Sequence, residues 1–128
     1  MAAWTSDELT TIGAADELQI ITTRHDGTRR KPVTIWVVRY GDNLYSRSYK
    51  GSSATWLRGA RAHPEGHIQA GNVYKDVTFV EETNSDINDQ IDAIYHSKYL
   101  RYGAGFVKAM IAAEVRATTI KLVPRLMP

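Results

Sequence analysis

The stretch RRKPVTIWVVRYGDNLYSRSYKGSSATW, residues 29–56, decides how this chain folds. Within it, PVTIWVV is apolar at successive positions, which is typical of a strand covered on both faces, and Pro32 opens it where the missing N–H is tolerated. GDN is a tight turn, and LYSRSY alternates as a strand does. The period then changes at GSSATW, where Ser52 or Ser53 can cap a helix. The stretch predicts two antiparallel strands followed by a helix.

Similar patterns extend from this stretch in both directions. Other predicted strands are ELQIITT (17–23), the two halves of EGHIQAGNVYKDVTFVEE (65–82) and RATTIKLVP (116–124). Other predicted helices lie over 6–15, with Ser6 as its cap, over 84–101, and through Phe106 and Met110. Six mainly antiparallel strands with helices inserted and flanking predict a mainly β, α+β fold. Closing such a sheet into a small barrel would remove its exposed edges.

Length and composition favour one globular domain over residues 1–128. Hydrophobic residues make up 43% and charged residues 23%, which is an ordinary globular mixture. The absence of cysteine excludes disulfides, thiolate nucleophiles and cysteine metal sites. Because MAAWTSDELTTIG is acidic where a signal peptide is basic, and no apolar run reaches membrane length, we expect a soluble cytoplasmic protein with no membrane partner.

Positive charge is concentrated in the middle of the chain. Between Arg24 and Arg61 lie nine of the sixteen basic residues and two of the fourteen acidic residues, so this segment carries +7 and the remainder −5. Such asymmetry is typical of an anion-binding surface. The alternative is a hairpin whose cations simply face water.

The histidines do not form a recognisable metal site. HPEGH, residues 63–67, looks like a zinc-protease motif, but Pro64 and Gly66 are incompatible with the helix that the motif requires. His63 and His67 therefore read as loop and strand residues, and no metal is expected. The sequence also contains no nucleophile elbow and no paired carboxylates in a recognisable context. Any chemistry would need a cofactor.

Three blocks carry a resemblance to a known family, and these are DELQIITTR (16–24), RKPVTIWVVRYGDNLYSRSYKGSSATWLRGARAHPEGHI (30–68) and TTIKLVPR (118–125). They resemble an uncharacterised bacterial domain family within the split-barrel flavin-binding group, which includes pyridoxamine-phosphate oxidases and deazaflavin-dependent nitroreductases. The resemblance implies a six-stranded antiparallel split β-barrel, usually a homodimer. It also implies a small-molecule ligand, FMN or a deazaflavin coenzyme, in a groove at the dimer interface.

The resemblance also assigns residues to the cofactor, with a phosphate held by basic and small residues and an aromatic side chain packed behind it. These are Arg30, Lys31, Tyr49, Lys50, Gly51, Ser52, Ser53 and Trp56. Independently, a helix N-terminus offers unpaired N–H groups to an anion, and Gly51 allows close backbone approach. The alternative is that Lys50, Ser52 and Ser53 form only a strand exit and a helix cap, while Trp36 and Trp56 are core aromatics.

Three functions follow from these readings. The first is a flavin- or deazaflavin-dependent oxidoreductase of unknown substrate, whose catalytic residues the sequence leaves unknown. The second is a non-catalytic module that binds or senses an anionic or haem-like ligand in the same groove. The third is single-stranded nucleic-acid binding, with Tyr45, Arg47 and Tyr49 as a stacking platform. The acidic helix residues and the lack of a recognised motif make nucleic acid the least favoured partner.

Overall fold

The computed structural model describes residues 3–125. Its helices and strands, in chain order, are α1 Ser6–Ala14, β1 Glu17–Thr22, β2 Val33–Trp36, β3 Val38–Tyr40, β4 Asn43–Ser46, α2 Thr55–Ala62, β5 Glu65–Ala70, β6 Val73–Glu81, α3 Ser85–Tyr99, α4 Ala104–Ile111, α5 Ala113–Arg116 and β7 Ile120–Pro124. Short 3-10 turns cover Gly51–Ser53 and Leu100–Tyr102. No helix within 3–125 is both long and apolar enough to cross a membrane.

All strand pairs are antiparallel, in the order β2-β1-β5-β6-β7-β4-β3. Only Val37 separates β2 from β3, so the two ends of this order are halves of one bent strand. The first half pairs with β1 and the second half with β4. The sheet therefore curls back on itself into a barrel. The predicted α+β split barrel is confirmed, with one of its six predicted strands bent into two.

The barrel interior forms the first of two hydrophobic cores. Strand β5 shows how alternation fills it, because Gly66, Ile68 and Ala70 are buried while Glu65 and Gln69 are exposed. Side chains from α1 and α2 close the barrel, with Leu9 and Ile12 on α1 and Trp56, Leu57 and Ala60 on α2. We call this cluster the barrel core.

A second core lies outside the barrel, where α3, α4 and α5 pack against β3 and β4. Its buried members are Val38, Tyr45, Ile91, Tyr95, Tyr99, Val107, Met110 and Val115. Trp36, Ile87 and Ile94 are partly buried against it. We call this cluster the helical core. It holds the outer helices in place beside the bent strand.

Two predicted helix caps are wrong. Helix α1 is capped by Thr5 and not Ser6: the Thr5 hydroxyl accepts from the Glu8 N–H, and the Glu8 carboxylate accepts from the Thr5 N–H. This reciprocal pair satisfies two orphan donors at once. Helix α2 begins after Ala54, which occupies the N-cap position. Ser52 and Ser53 belong to the preceding 3-10 turn, and neither side chain accepts a hydrogen bond from the first turn of α2.

Two predicted strand features also differ. The strand over 44–49 ends at Ser46, where the chain turns Arg47 into the helical core. The expected coverage of PVTIWVV on both faces holds only for Val37 and Val38, which are 0% exposed. Val33 is 38% exposed and Thr34 is exposed as well, while Ile35 and Trp36 at the end of β2 are partly buried.

Candidate functional site

A pocket of about 580 Å³ opens between the first half of the bent strand, the start of α2 and α4. Its lining residues are Val33, Thr34, Ile35, Trp36, Arg47, Ser48, Tyr49, Lys50, Ala54, Thr55, Trp56, Phe106 and Met110. Most of these are apolar or aromatic, two are cationic, and none of the described lining residues is acidic. Both the volume and the lining match pockets that bind cofactor-sized molecules.

The turn between β4 and α2 forms one wall. Gly51 adopts φ +64°, a left-handed conformation that favours glycine, and its N–H donates to the Ser48 carbonyl at 2.9 Å. The Ser48 hydroxyl donates to the Gly51 carbonyl at 2.7 Å, and the Ser53 hydroxyl donates to the Lys50 carbonyl at 2.8 Å. These bonds fix a compact turn that places Tyr49 and Lys50 at the pocket.

The start of α2 completes this wall with Ala54, Thr55 and Trp56. No side chain caps this helix, so the first-turn N–H groups receive no side-chain acceptor. These groups carry the positive end of the helix dipole. The wall can therefore attract an anion through Lys50 and through the backbone of α2.

Aromatic rings form the opposite side. Trp36, the last residue of β2, stacks on Tyr99 of α3 with ring centroids 3.9 Å apart and planes within 2°. Phe106 of α4 meets Trp36 edge-on at 6.4 Å and lies at the same distance from Tyr49. Burial raises the pKa of the Tyr99 phenol, so it stays protonated. This side can accommodate a flat apolar ring.

Arg47 lies behind the pocket and is only 1% exposed. Its guanidinium donates to Asp92 at 2.5 Å, to the Met110 carbonyl at 2.9 Å and to Thr119 at 2.9 Å. Two further bonds reach the carbonyl and side chain of Asn88. All five guanidinium donors are therefore occupied inside the protein. Of the two cations at the pocket, Lys50 is the exposed one.

The structure brings some of the predicted cofactor residues together. Tyr49, Lys50 and Trp56 line the pocket, while Gly51, Ser52 and Ser53 form the turn between them without lining it. Their assignment to a cofactor phosphate stays a prediction.

The two predicted cations of the β1–β2 hairpin lie differently. Arg30 donates to the Thr23 carbonyl at 3.1 Å and crosses α2 at Gly59, where a Cβ would lie 2.7 Å from its Nη1 atom. Lys31 is exposed and precedes the lining residue Val33 by two positions. Neither residue lines the pocket, and their cofactor role also stays a prediction.

Phe106 and Met110 are two of the lining residues to which the sequence assigns no site role. They sit on α4, about fifty residues after α2, and only the packing of α4 against α3 brings them to the pocket. The sequence pattern there, an apolar helix beside two glycines, predicts a helix that packs against the core and does not indicate a ligand-binding site.

The proposed nucleic-acid platform does not exist on the surface. Tyr45 and Arg47 are each 1% exposed, so neither can stack on a base. His67 lies on β5 as predicted, with its Nδ1 atom 2.5 Å from Asp76, and His63 directly follows α2. Among residues 3–125, no group of three or more His, Asp or Glu side chains is placed to hold a metal ion.

Residues 8–122 match the family of uncharacterized proteins conserved in bacteria (DUF2255), and the chain belongs to that family. No curated protein matches the sequence. The resemblance drawn from the sequence blocks is therefore confirmed at the level of the family.

Solved structures share the fold at low identity. HutZ, the heme storage protein from Vibrio cholerae, has a TM-score of 0.70 and 13% identity over 95% of this chain and 91% of its own. An F420-H2 dependent reductase has a TM-score of 0.61 and 18% identity over 84% of this chain and 93% of its own. A FAD-binding protein from Mesorhizobium loti has a TM-score of 0.56 and 15% identity over 98% of this chain and 92% of its own. The chain thus has the fold of the split-barrel flavin-binding group.

Proposed function

We propose that the pocket binds FMN or a deazaflavin coenzyme, and that the protein is an oxidoreductase that passes hydride between this cofactor and a small organic acceptor. One observation carries the proposal: a single pocket joins aromatic walls, an exposed lysine and the start of a helix, with no carboxylate among its described lining residues. The aromatic walls favour a flat ring. The positive charge favours an anionic tail.

The residues present fit such a cofactor. Lys50 and the first N–H groups of α2 would hold the phosphate, with Gly51, Ser52 and Ser53 shaping the turn beside it and Trp56 behind it. Lys31 and Arg30 would add positive charge from the neighbouring hairpin. A charge-assisted hydrogen bond contributes about 1.5–3 kcal/mol, so two or three of them supply much of the ~8 kcal/mol of a micromolar complex.

When bound, the cofactor would supply the hydride chemistry, which no side chain of the chain provides. The protein would orient the ring and exclude water from it. Trp36, Phe106 and Met110 form the apolar walls that serve this purpose. Lys50 fixes the orientation by holding one end of the ligand.

A homodimer would complete the pocket. Tyr49, Phe106 and Val33 are 56%, 51% and 38% exposed, which leaves an apolar rim around the opening. Exposed apolar surface of this kind marks an interaction site, and a second copy lying over it would shield the ligand. Sedimentation of the purified protein as a 14.4 kDa monomer, with and without cofactor, would contradict this part of the proposal.

Cofactor titration tests the binding step. FMN and a deazaflavin are each added to the protein while their fluorescence is followed, and one of them should saturate with a micromolar Kd. Lys50→Met should weaken that binding by about 10- to 150-fold, the equivalent of one charge-assisted bond. Lys108→Met on α4 is the matched control, because Lys108 is exposed and does not line the pocket.

Two results would reject the binding proposal. One is no fluorescence change with either cofactor, and the other is equal affinity in Lys50→Met and Lys108→Met. Turnover is tested separately by reducing the bound cofactor with a chemical donor and following its reoxidation by small organic acceptors. Binding without any acceptor-dependent reoxidation would support a cofactor-binding protein and contradict the proposed oxidoreductase activity.

The second candidate function is non-catalytic binding of a haem-like ligand. Two lining residues favour it, because Tyr49 and Met110 belong to residue types that ligate haem iron. Histidine, the commonest such ligand type, is absent from the described lining residues. Haem titration distinguishes the two candidates, since a sharp visible band lost in Tyr49→Phe or Met110→Leu would support haem and displace FMN.

A further inference from the structure

The stacked pair Trp36 and Tyr99 has an unusual geometry. Aromatic pairs in proteins usually have ring centroids about 4.5–7 Å apart, whereas these two parallel rings have centroids only 3.9 Å apart. Trp36 is partly exposed and lines the pocket, while Tyr99 is fully buried in the helical core. The pair therefore links the pocket wall directly to the protein interior.

Tyr99 is held rigidly by the backbone next to Trp36. The Val37 N–H donates to the Tyr99 hydroxyl at 3.1 Å, and that hydroxyl lies 2.7 Å from the Asp16 carbonyl and 2.9 Å from the Val37 carbonyl. Lys98 also donates to the Val37 carbonyl at 2.6 Å. These bonds converge on the residue where the bent strand turns, one position after Trp36. They fix the plane of Tyr99 relative to the indole.

The surroundings leave one face of the indole for a ligand. Tyr99 covers the other face, Phe106 approaches at 65° to the indole plane, and Tyr102 is tilted by 35° at 5.9 Å. Since a flat ring gains most by parallel contact, it would take the face opposite Tyr99. Trp56 is a weaker candidate, because only 6% of its surface is exposed and it belongs to the barrel core.

We infer that Trp36 is the stacking platform for the ring of the bound cofactor and that Tyr99 is the positioning residue that holds the platform flat. This inference rests on the proposed function and adds the site of the ring to it. An electron-rich indole against an electron-poor isoalloxazine quenches flavin fluorescence and gives a long-wavelength charge-transfer band. Stacking of a heterocycle on a protein aromatic ring is commonly strong enough to change affinity about tenfold.

The test uses FMN as the probe and two readouts, the Kd and the charge-transfer band. Trp36→Leu should weaken FMN binding about tenfold and abolish the band. Tyr99→Leu should also weaken binding and reduce the band, although Trp36 is still present. Tyr95→Phe is the control, because Tyr95 lies one turn earlier on α3, does not line the pocket and should leave both readouts unchanged.

A conservative variant keeps the test decisive if the leucine variants fail to fold. Trp36→Phe retains a ring but is a poorer electron donor, so it should restore most of the affinity and move the band to shorter wavelength. Wild-type affinity together with an unchanged band in Trp36→Phe or Trp36→Leu would overturn the platform. A band that Tyr99→Leu leaves unaltered would overturn the positioning role. Failure of the wild type to bind FMN or a deazaflavin would reject the proposed function itself, which is a different outcome.

Discussion

The barrel core and the helical core are stabilised in different ways. The barrel core is built mainly from apolar side chains at alternate strand positions and on one face of each covering helix, and the Trp4 indole N–H within it donates to the Leu122 carbonyl. The helical core packs against the buried polar groups of Arg47, Asn88 and Thr119. Apolar packing needs only matching shape, whereas buried polar groups need specific partners. The pocket lies between the two cores, because Ala54 and Trp56 belong to the barrel core and Met110 belongs to the helical core. The part of its wall that α4 forms therefore depends on directional bonds.

Arg47 shows how this dependence works. Its donation to the Met110 carbonyl ties the C-terminal part of α4 to the end of β4. Met110 and Phe106 both lie on α4 and both line the pocket. Asp92 accepts from Arg47 on one oxygen and from Arg116 on the other, each within 2.7 Å. One buried cation therefore fixes α3, α4 and the pocket wall together.

The largest expected effect is the loss of this cation. Arg47→Met should lower the free energy of unfolding by about 3–5 kcal/mol, because the buried carbonyls of Met110 and Asn88 lose their donor. Urea denaturation measures the change, and hydrogen exchange should show earlier opening of α4. Arg116→Met is the matched control: Arg116 shares Asp92 but is partly exposed, so about 1 kcal/mol or less is expected. Equal losses in the two variants would mean that the helical core does not depend on Arg47.

The barrel core could be predicted from the sequence because its information is local. Ile68 and Ala70 alternate with polar neighbours, and the Gly41 and Gly71 turns separate the strands as expected. The apolar run PVTIWVV also predicts the bent strand, although it predicts one continuous strand without the break at Val37. At the break the Val37 N–H donates to the hydroxyl of Tyr99, sixty-two residues away, and no local pattern indicates such a contact.

The helical core and half of the pocket could not be predicted in this way. Arg47 sits in a sequence that reads as a strand, and its partners lie 41 to 72 residues further along the chain. The hydrophobic periodicity of a sequence does not indicate hydrogen bonds between residues so far apart in the chain. Lys50 and Trp56, which line the pocket, could be named because the family resemblance covers both, and because the sequence predicts a helix start directly after Lys50. Phe106 could not be named in this way, since only the packing of α4 brings it there.

A smaller effect is expected at the end of the barrel core, where α1 covers it. Thr5→Ala should lower the free energy of unfolding by about 1 kcal/mol, because it removes the hydroxyl that accepts from the Glu8 N–H and leaves only the other half of the reciprocal pair. Thermal denaturation is a sufficient measurement. Ser6→Ala is the matched control and should change stability by less than about 0.5 kcal/mol. If Ser6→Ala proved the more harmful variant, the cap would lie where the sequence alone suggested.

The smallest effect concerns Lys98, the lysine beside Tyr99 in the helical core. Burial lowers the pKa of Lys98 to about 8 from 10.5, with Asp16 opposing and Arg101 adding to the shift. Below pH 8 the amine is charged in both states, so the cost of burying it is fully present. Between pH 8 and 10.5 the unfolded chain binds more protons than the folded chain, and stability rises with pH.

Because Lys98 is partly exposed, solvent screening reduces this rise to the order of 1 kcal/mol or less. The comparison is with Lys98→Met, whose stability should lack the rise between pH 7.5 and 9.5. That range stays below the titration of Tyr95 and Tyr99, whose pKa values burial raises. Parallel stability curves for the two proteins would show that Lys98 is fully hydrated. The bonds around Val37 would then hold Tyr99 without a buried charge, and the helical core would resemble the barrel core more closely than its polar groups suggest.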